Sequence, residues 1–590
     1  MDGLFLAVLF SAGPALAGDV PFQVDVTRQV MVVVNDRVPE SVEIGRHYAS
    51  RRGIPESMIV SVSTSEKEEI SREVFDREIL APVRAFYEAH REVLFLVTTW
   101  GVPVKIAETD GSDDKGVGEG FIGGRDFAAV DQELALLPRG TWETKGLVEN
   151  PYYGRDEPIS AGVKRLVFGR LDGPSAQVAK GLVNLALLGE RFGLSGKAYI
   201  DTRGLTNPDG YKARDDEMKG TLKVLERHGF PFHHDDKPEV LDLSEFDDVV
   251  LYDGWYTGTY NFKKPEFRFP PGAVAVHLHS FAAGVVRTDK ECWVGPLLAH
   301  GATATCGTVY EPLTLGFPIS VIAYDRLLSG YTLGESFAMA DRCLSWQAIV
   351  LGDPLYAPFA AGGKEEQARN RRQLESLETE RAAAEAAGRL AEAWRKANEL
   401  AELALDLPAG TRADEARAAI ELRAREELDR LAASFRRDGT PQALAAVEGF
   451  ARAWEGTSFG EEASRLAAGA RARADAEAQS VWVRAQECEK KGELLEARGK
   501  YETLVKRHSL SRFAGQAAER LAAIDSDPQA QARVAAARRI EDARRLFTLG
   551  TNSRANGNEA KAREYFQKVV DEYGDTEYAK KAREALAKGR

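Results

Sequence analysis

The residues best suited to chemistry lie in one short segment, where two histidines and a serine follow an apolar run. His277 and His279 flank Leu278, and Ser280 comes directly after them. Alternate residues of a β-strand point to the same face, so both imidazoles are expected on one side of a strand. Imidazoles serve as metal ligands and as general bases. The segment therefore indicates either a metal site or a hydrolytic site.

A divalent metal held by the two histidines would need a third ligand, such as an aspartate from a neighbouring strand. Parallel strands bring their carboxyl ends to one edge of a sheet, and ligands bind in the crevice there. Asp253 is the best placed, because its strand directly precedes the histidine strand. Further aspartates end other predicted strands: Asp172, Asp201 and Asp353. Helix capping is the simpler role for each of these carboxylates.

Two alternatives to a metal remain open for this segment. His279 would act as a base for Ser280 in a hydrolase only if the strand bends, since adjacent residues of a strand face opposite sides. Otherwise, both histidines are ordinary, partly buried side chains at the end of a sheet. The residues expected to line the same crevice and to bind a ligand follow other predicted strands: Asp36, Trp100, Arg170, Asp172, Asp201 and Cys306.

These residues are expected on an alternating pattern of strands and helices. Between Gly272 and Pro354 the order is strand, helix, strand, two helices and strand. Upstream, continuous apolar runs such as residues 30–34 and 93–97 are typical of strands buried on both faces of a parallel sheet. Repeated strand–helix–strand units imply right-handed crossovers, with helices on both faces. The sequence thus predicts an α/β fold with a mainly parallel sheet.

Composition excludes several classes of protein. The chain of 590 residues has a net charge of -13. Proteins that bind nucleic acid or anionic membranes need a basic surface, so we expect no nucleic-acid partner. The four cysteines are too few and too scattered for a disulfide framework or a zinc knuckle. No stretch is long and apolar enough for a transmembrane segment.

The first residues predict export. Residues 4–17 are mostly apolar and end on Ala15, Leu16 and Ala17, a spacing of small residues typical of signal-peptidase cleavage. One feature departs from this pattern, because Asp2 stands where a basic residue is expected. We therefore predict a signal peptide over residues 1–17 and a protein that is periplasmic, cell-surface or extracellular.

The last part of the chain predicts helical repeats. Past Phe359 the composition changes to alanine, glutamate, arginine and leucine. Residues 492–498 match residues 557–563, an offset of 557 − 492 = 65, and the same offset pairs Tyr501 with Phe566. Small and aromatic residues at helical spacing are typical of tetratricopeptide-type repeats. Such an array usually holds a protein partner, and a plain spacer is the alternative.

These patterns divide the chain into successive parts. After the signal peptide we expect a first α/β half, a Gly- and Asp-rich insertion, a second α/β half and a helical-repeat domain: residues 20–110, 111–162, 163–359 and 365–590. Because the apolar strands are complete before residue 359, the α/β part is expected to fold without the repeats.

Several separated strings together resemble a family of exported bacterial proteins described only as conserved hypotheticals. The strings occur in order across residues 29–359: Asn35-Asp36 with Pro39-Glu40-Ser41, Gly53-Ile54-Pro55, Trp100-Gly101-Val102-Pro103, Val130-Asp131-Gln132-Glu133, Gly169-Arg170-Leu171-Asp172-Gly173 and Leu351-Gly352-Asp353-Pro354. The resemblance supports export and brings no activity with it.

A more distant resemblance is to gingipain-like cysteine peptidases of the caspase-like fold. It rests on residues 301–308 and on the closing residues 352–354. In those enzymes one strand ends in the catalytic histidine and the next ends in the nucleophilic cysteine. Here the corresponding strands end at Trp255 and at Ser280, so both members of the dyad are missing. Cys306 lies one strand too late to replace the nucleophile.

The missing dyad favours a binding or scaffolding protein on a caspase-like fold, with helical repeats that recruit a protein partner. The alternative is an exported hydrolase of peptide or glycan material, with or without a divalent metal cofactor. That hydrolase would use His277, His279, Ser280 and Asp253 in the predicted crevice.

Overall fold

The described residues form two compact units: the first runs to residue 377 and includes residues 400–404 and 407–411, and the second comprises residues 378–399 and 412–588. The predicted signal peptide lies outside the residues that the structure describes. No helix in the described ranges is long and apolar enough to cross a membrane. The structure is a computed structural model that describes residues 26–109, 125–207, 210–255, 260, 262–404 and 407–588.

The strands of the first unit form two main sheets and two small ones. The main strands are β1 Val30–Asn35, β2 Ile59–Val62, β4 Phe95–Thr99, β8 Val167–Leu171, β9 Lys197–Thr202, β10 Phe232–Asp236, β11 Val249–Trp255, β12 Val274–Leu278, β13 Thr305–Thr308 and β15 Ala348–Leu351. The short strands are β3 Glu69–Ile70, β5 Lys105–Ile106, β6 Ala128–Ala129, β7 Val148–Glu149 and β14 Cys343–Leu344.

The six-stranded sheet is mixed but mostly parallel, and the four-stranded sheet is parallel throughout. The six-stranded sheet has the order β13-β15-β8-β4-β1-β2, and the four-stranded sheet has the order β10-β9-β11-β12. All pairs in the four-stranded sheet are parallel, whereas β13 and β15 are antiparallel. A single parallel bridge between Val274 and Ala304 links the two sheets. The prediction of an α/β fold with a mainly parallel sheet is confirmed.

The central strands follow from their continuous apolar runs. Strands β1, β4 and β8 are buried along their whole length, as expected for strands that are covered on both faces. Helix α1 shows how the sequence sets the connections: Pro39 starts it, and Gly53 ends it with a φ of 69°. The helices of this unit are α1 Pro39–Arg52, α2 Arg72–Val74, α3 Ala81–Ala89, α4 Val130–Leu134, α5 Ala176–Phe192, α6 Gly210–His228, α7 Val294–Ala299, α8 Ser320–Leu328 and α9 Leu333–Ala340.

The predicted insertion is an ordered part of the first unit over its described residues, 125–162. Its helix α4 carries three polar side chains that are fully buried. Buried polar groups need partners, and each of these side chains bonds to a different part of the fold. The pairs are Asp131 with Arg170, Gln132 with Asp341, and Glu133 with Ser345. The segment therefore fastens separate elements together rather than forming a surface loop.

Helices make up the remainder of the described chain. They are α10 Gly363–Ala386, α11 Leu390–Leu403, α12 Pro408–Asp438, α13 Pro441–Ala453, α14 Ser458–Lys490, α15 Leu494–Arg507, α16 Arg512–Ser526, α17 Pro528–Ala555, α18 Glu559–Glu572 and α19 Glu577–Ala587. The prediction of a helical domain after the α/β region is confirmed.

The predicted 65-residue offset recurs in the helix boundaries. Helix α18 begins and ends 65 residues after α15, because 559 − 494 = 65 and 572 − 507 = 65. Gly492 and Gly557 make the same turn, with φ values of 80° and 79°. Tyr501 and Phe566 both lie buried in the corresponding helices. The repeating unit is thus one long helix followed by two shorter ones.

The boundary between the units lies later than residue 365. The first turns of α10 belong to the first unit, where Gln367 donates to the carbonyl oxygens of Glu190 and Pro358 at 3.1 and 2.9 Å. Arg371 donates to the carbonyl oxygen of Phe192. The α/β unit therefore needs residues that composition alone assigns to the repeats.

We expect a chain that ends at Thr411 to keep a more stable α/β unit than a chain that ends at Lys364. The shorter chain loses the bonds of Gln367 and Arg371, each worth about 0.5–1.5 kcal/mol. Thermal unfolding, followed by near-ultraviolet circular dichroism, should give the shorter chain the lower midpoint. Equal midpoints would mean that the first turns of α10 contribute nothing to the unit.

Candidate functional site

The predicted histidine and two of the predicted acids lie on adjacent strands of the four-stranded sheet. Asp201 of β9, Gly254 of β11 and His277 of β12 are register partners, so they stand side by side on one face. Asp253 precedes Gly254 in β11 and therefore points to the opposite face. The sheet brings Asp201 and His277 together and separates both from Asp253.

Tyr252 connects His277 to Asp201. Its hydroxyl donates to Asp201 Oδ2 at 3.1 Å, and it lies 3.0 Å from His277 Nδ1. Because the hydroxyl donates to Asp201, its oxygen accepts from the Nδ1–H of His277, which leaves the lone pair of the neutral imidazole on Nε2. Gly254 makes this arrangement possible, since a Cβ at that position would meet the Tyr252 hydroxyl.

His277 is buried and neutral. Its side chain has no solvent exposure, and its ring stacks on Trp293 with the ring centres 3.5 Å apart. Burial, with the charge of His279 in second place, lowers its pKa well below the ordinary value. A base that exchanges protons with a substrate needs access to that substrate. This environment fits a packed histidine that is satisfied by Tyr252.

His279 does not share the surroundings of His277. Strand β12 ends at Leu278, so the alternation that the sequence predicted stops before the second histidine. His279 is half-buried, and its Nδ1 bonds to the carbonyl oxygen of Ser280 rather than to the hydroxyl. The alternative in which His279 acts as a base for the Ser280 hydroxyl is therefore not formed in this structure.

Asp253 lies under helix α8 on the other face of the sheet. Its Oδ1 accepts from the Ser320 hydroxyl at 2.9 Å, and its Oδ2 is buried without a hydrogen-bond partner. Burial raises the pKa of Asp253 to about 7, although the Arg214 guanidinium and the Ser320 hydroxyl act in the opposite direction. Burial likewise raises the pKa of Asp201 to about 7.

The strand-end residues do not gather as metal ligands. Across the described parts of the chain, only one group of three His, Cys, Asp or Glu donors lies within 4.8 Å of one another. That group is Cys488, Glu493 and Glu496 in the helical unit, and both glutamates are exposed. The alternative of a metal site formed by His277, His279 and an aspartate is therefore not assembled among the described residues.

A chain of ion pairs lies at the carboxyl end of β8, a central strand of the six-stranded sheet. Arg170 of β8 donates to Asp131 through Nε at 2.8 Å and Nη2 at 3.0 Å, and to Asp172 through Nη1 at 3.1 Å. Arg287 reaches Asp172 from the loop after β12, at 2.9 and 3.1 Å. Arg170, Asp131 and Asp172 have no solvent exposure. The predicted ligand-binding residues Arg170 and Asp172 are thus already engaged with protein groups.

The loop that follows β12 is fixed from the opposite side by the segment around β3 and β5. Both carboxylate oxygens of Glu68 accept backbone N–H groups, from Val286 at 2.9 Å and from Arg287 at 2.8 Å. Lys105 donates to the Gly284 carbonyl oxygen at 2.9 Å. Phe281 begins this loop with a φ of 59° and remains 46% exposed. The carboxyl end of β8 is therefore covered by other parts of the protein, and the exposed Phe281 belongs to the covering loop.

The remaining predicted site residues have separate surroundings. Asp36 is exposed and accepts from the Ser63 hydroxyl at 2.6 Å. Trp100 is half-buried, with the Arg287 guanidinium 5.3 Å from its ring centre. Cys306 is buried, and burial raises the pKa of its thiol well above the ordinary value.

Asp353 was expected in the same crevice, and the structure places it elsewhere. It accepts from the Tyr48 hydroxyl at 2.7 Å and from Arg52 Nε at 2.6 Å, both near the end of α1. Arg52 also binds both carboxylate oxygens of Glu190 near the end of α5. This cluster, in which Asp353 is fully buried and Arg52 and Glu190 are partly exposed, joins two helix ends and has a structural role.

Several residues that hold the strand ends and their loops in place could not be recognised from the sequence. Tyr252 and Glu68 carry no motif, and only their cross-strand and cross-loop partners reveal their roles. Asp215 is another, because it accepts from the backbone N–H groups of Arg203 and Leu205 and from the Trp255 indole. An acid early in a predicted helix is the only sequence signal it offers.

No protein-family model, curated protein or solved structure matches the chain. The function must therefore follow from the geometry of the residues described above.

Replacing Arg170 with alanine should destabilise the α/β unit by about 3–5 kcal/mol, because Asp131 would remain buried as an uncompensated charge and Asp172 would keep only Arg287 as a partner. Arg170→Lys keeps the positive charge but not the bidentate contact with Asp131, so it should lower the free energy of unfolding by less. Urea unfolding of the full chain measures both effects. Arg77→Ala, which removes an exposed ion pair with Glu73, serves as the control and should change little. A loss for Arg170→Ala as small as the control's would contradict the assignment.

Asp253→Asn should change how stability depends on pH. The folded pKa of about 7 lies above the unfolded value of about 3.9, so the native state favours the protonated form. Wild-type stability should fall relative to the variant as pH rises from about 4 to about 7, by up to about 1.4 kcal/mol per pH unit. Denaturant unfolding across this range measures the difference. Parallel wild-type and Asp253→Asn curves would refute the prediction.

Proposed function

We propose that this chain is an exported binding protein with a caspase-like α/β unit that lacks the catalytic dyad. Its helical unit would hold a protein partner. The observation that carries the proposal is the state of His277, one of the two imidazoles that the sequence offers for catalysis. It is buried, neutral and stacked on Trp293, and its Nδ1 is satisfied by Tyr252.

The two strand ends that correspond to the dyad positions support this proposal. Strand β11 ends at Trp255, whose indole N–H donates to Asp215 at 2.9 Å. The neighbouring strand β12 leads into His279 and Ser280, where the imidazole bonds to a carbonyl oxygen. A serine nucleophile needs a base within hydrogen-bond reach of its hydroxyl. Neither strand end carries a nucleophile paired with a base.

The helical unit supplies the second line of support. A surface groove of about 420 Å³ lies between α13 and α14, and it is lined by alanines and charged residues. Small lining residues allow close approach of a partner backbone, and charged lining residues give specificity more than affinity. The lining residues are Glu448, Ala451, Arg452, Glu455, Ser464, Ala467, Ala468 and Arg471. A groove of this kind suits a peptide segment of a protein partner.

Active-site labelling of the folded chain tests the proposal against the hydrolase alternative. A fluorophosphonate should not modify Ser280, because no base activates its hydroxyl. Iodoacetamide should modify the half-buried Cys292 in the native state, but the buried Cys306, Cys343 and Cys488 only after unfolding in urea. Mass spectrometry of the digested protein identifies each labelled residue.

Cys292 serves as the internal positive control for reagent access. Native labelling of Ser280 that disappears in Ser280→Ala would favour the hydrolase. Rapid native labelling of Cys306 would show a thiol nucleophile on the strand after the expected one. Either result would overturn the proposed absence of catalysis.

A further inference from the structure

Three side chains that can bind a metal meet at the turn between helices α14 and α15. Cys488 belongs to the last turn of α14, Glu493 to the connecting turn, and Glu496 to the first turn of α15. The Cys488 Sγ and one carboxylate oxygen of each glutamate lie within 4.8 Å of one another. Cys488 is 8% exposed, whereas both glutamates are exposed. The cluster therefore has a buried sulfur on the protein side and two carboxylates on the solvent side.

The backbone of the turn fixes the positions of these side chains. Gly492 has a φ of 80°, in the left-handed region that glycine adopts readily. Its N–H donates to the Glu489 carbonyl oxygen at 3.0 Å, and the N–H of Glu493 donates to the Cys488 carbonyl oxygen at 2.8 Å. This pair of bonds is the Schellman motif. It brings Glu493 back beside the last turn of α14, and Glu496 follows on the same face of α15.

The Cys488 thiol is directed at two acidic groups. Among the residues that the structure describes, Glu493 and Glu496 are the only side chains that hydrogen-bond to it. Burial raises the pKa of the thiol, and the two carboxylate charges raise it further, although Lys500 opposes them. Lys500 Nζ lies 3.0 Å from Glu496 Oε1, so it offsets one carboxylate of the two. A cation between the three donors would relieve this crowding of negative charge around a buried polar atom.

The next period of the array gives an internal comparison. At the 65-residue offset the three donors are replaced by Ser553, Asn558 and Lys561. The turn keeps its backbone bonds, because the N–H groups of Gly557 and Asn558 again donate to carbonyl oxygens of the preceding helix, at 3.0 and 2.9 Å. Asn558 caps α18 by accepting from the Lys561 N–H at 3.1 Å, whereas the side chain of Glu493 makes no cap bond to α15. The two turns share a backbone, and the first has metal-binding side chains in place of a helix cap.

We propose that Cys488, Glu493 and Glu496 bind one divalent cation of borderline softness, such as Zn²⁺, through the thiolate and one oxygen of each carboxylate. Zinc accepts thiolate sulfur at about 2.3 Å and carboxylate oxygen at about 2.0–2.2 Å. The exposed glutamate side chains can rotate to bring the donors to these distances. Magnesium and calcium prefer oxygen donors throughout, so the buried sulfur selects against them.

Binding changes the state of the thiol and of the turn. The Cys488 thiol gives its proton to solvent as the metal–sulfur bond forms, because the ligand must be the thiolate. Three protein donors leave the fourth tetrahedral position of zinc to water or to a donor from another molecule. The metal thus links the end of α14 to the start of α15 in one period of the array, and the equivalent turn before α18 has no such link.

Cobalt(II) tests the sulfur ligand directly, because a cobalt–thiolate bond gives a charge-transfer band in the near ultraviolet. The full chain, first freed of metal with a chelator, should gain this band with one equivalent of Co²⁺, and Zn²⁺ should remove it. Cys488→Ser, which introduces the residue found at position 553, should abolish the band. Cys292→Ser removes the half-buried thiol elsewhere in the chain and should leave the band unchanged.

Competition with a chromophoric chelator measures the zinc affinity and tests the two carboxylates. Glu493→Asn and Glu496→Gln should each weaken binding at least about tenfold, since even an outer-shell partner of a metal is worth about 10–100-fold. Glu493→Asn also supplies the capping residue of the other period, so it should fold at least as well as the wild type. Glu477→Gln, at an exposed position earlier in α14, is the matched control and should bind zinc as the wild type does.

Three results would overturn the proposal. The first is a wild-type chain that shows no cobalt–thiolate band, and the second is a band that persists in Cys488→Ser. The third is a zinc affinity of either glutamate variant that equals the affinity of Glu477→Gln.

Discussion

The first unit depends on the buried contact between Arg170 and Asp131. Arg170 comes from a central strand of the six-stranded sheet, and Asp131 comes from the insertion. The same guanidinium binds Asp172 and the carbonyl oxygens of Val102 and Pro103. Through Asp172 it also positions Arg287, which belongs to the loop after β12. The free-energy cost of removing these charges from water is offset only while every partner is present. Loops from three parts of the chain therefore depend on one another.

This use of polar residues explains why the strand ends look catalytic in the sequence and behave otherwise in the fold. Histidine, tyrosine and aspartate recur at places where open α/β sheets bind ligands. Here their hydrogen-bonding groups are directed at one another, as in the path from Asp201 through Tyr252 to His277. Such a network specifies a unique packing of β9, β11 and β12, because each polar atom has a satisfactory partner in only one register. The groups that remain accessible are of a different type, such as the exposed ring of Phe281.

Local sequence patterns predicted which segments form strands and which form helices. Contacts between residues far apart in the sequence determined which side chains meet at the candidate site. Continuous apolar runs identified the buried strands, and the 65-residue offset located the repeated helices to the residue. The alternation rule failed at His279, since β12 stops one residue earlier and no local signal marks that end. Sequence proximity placed Asp253 beside the histidine, but the pleat directs it to the other face. Glu68 bonds to residues 218 and 219 positions away, a relationship that no window of sequence contains.

The 65-residue period of the last helices has a consequence for how such a chain can change in length. Each period begins and ends at equivalent points of the helices, and its glycine turn recurs at Gly492 and Gly557. Gene duplication or loss of one period would therefore lengthen or shorten the array by a whole structural unit, with its own buried aromatic and small residues intact. Each interface between neighbouring units would be one that the protein already makes. The length of the array can thus change in fixed steps while the α/β unit stays the same.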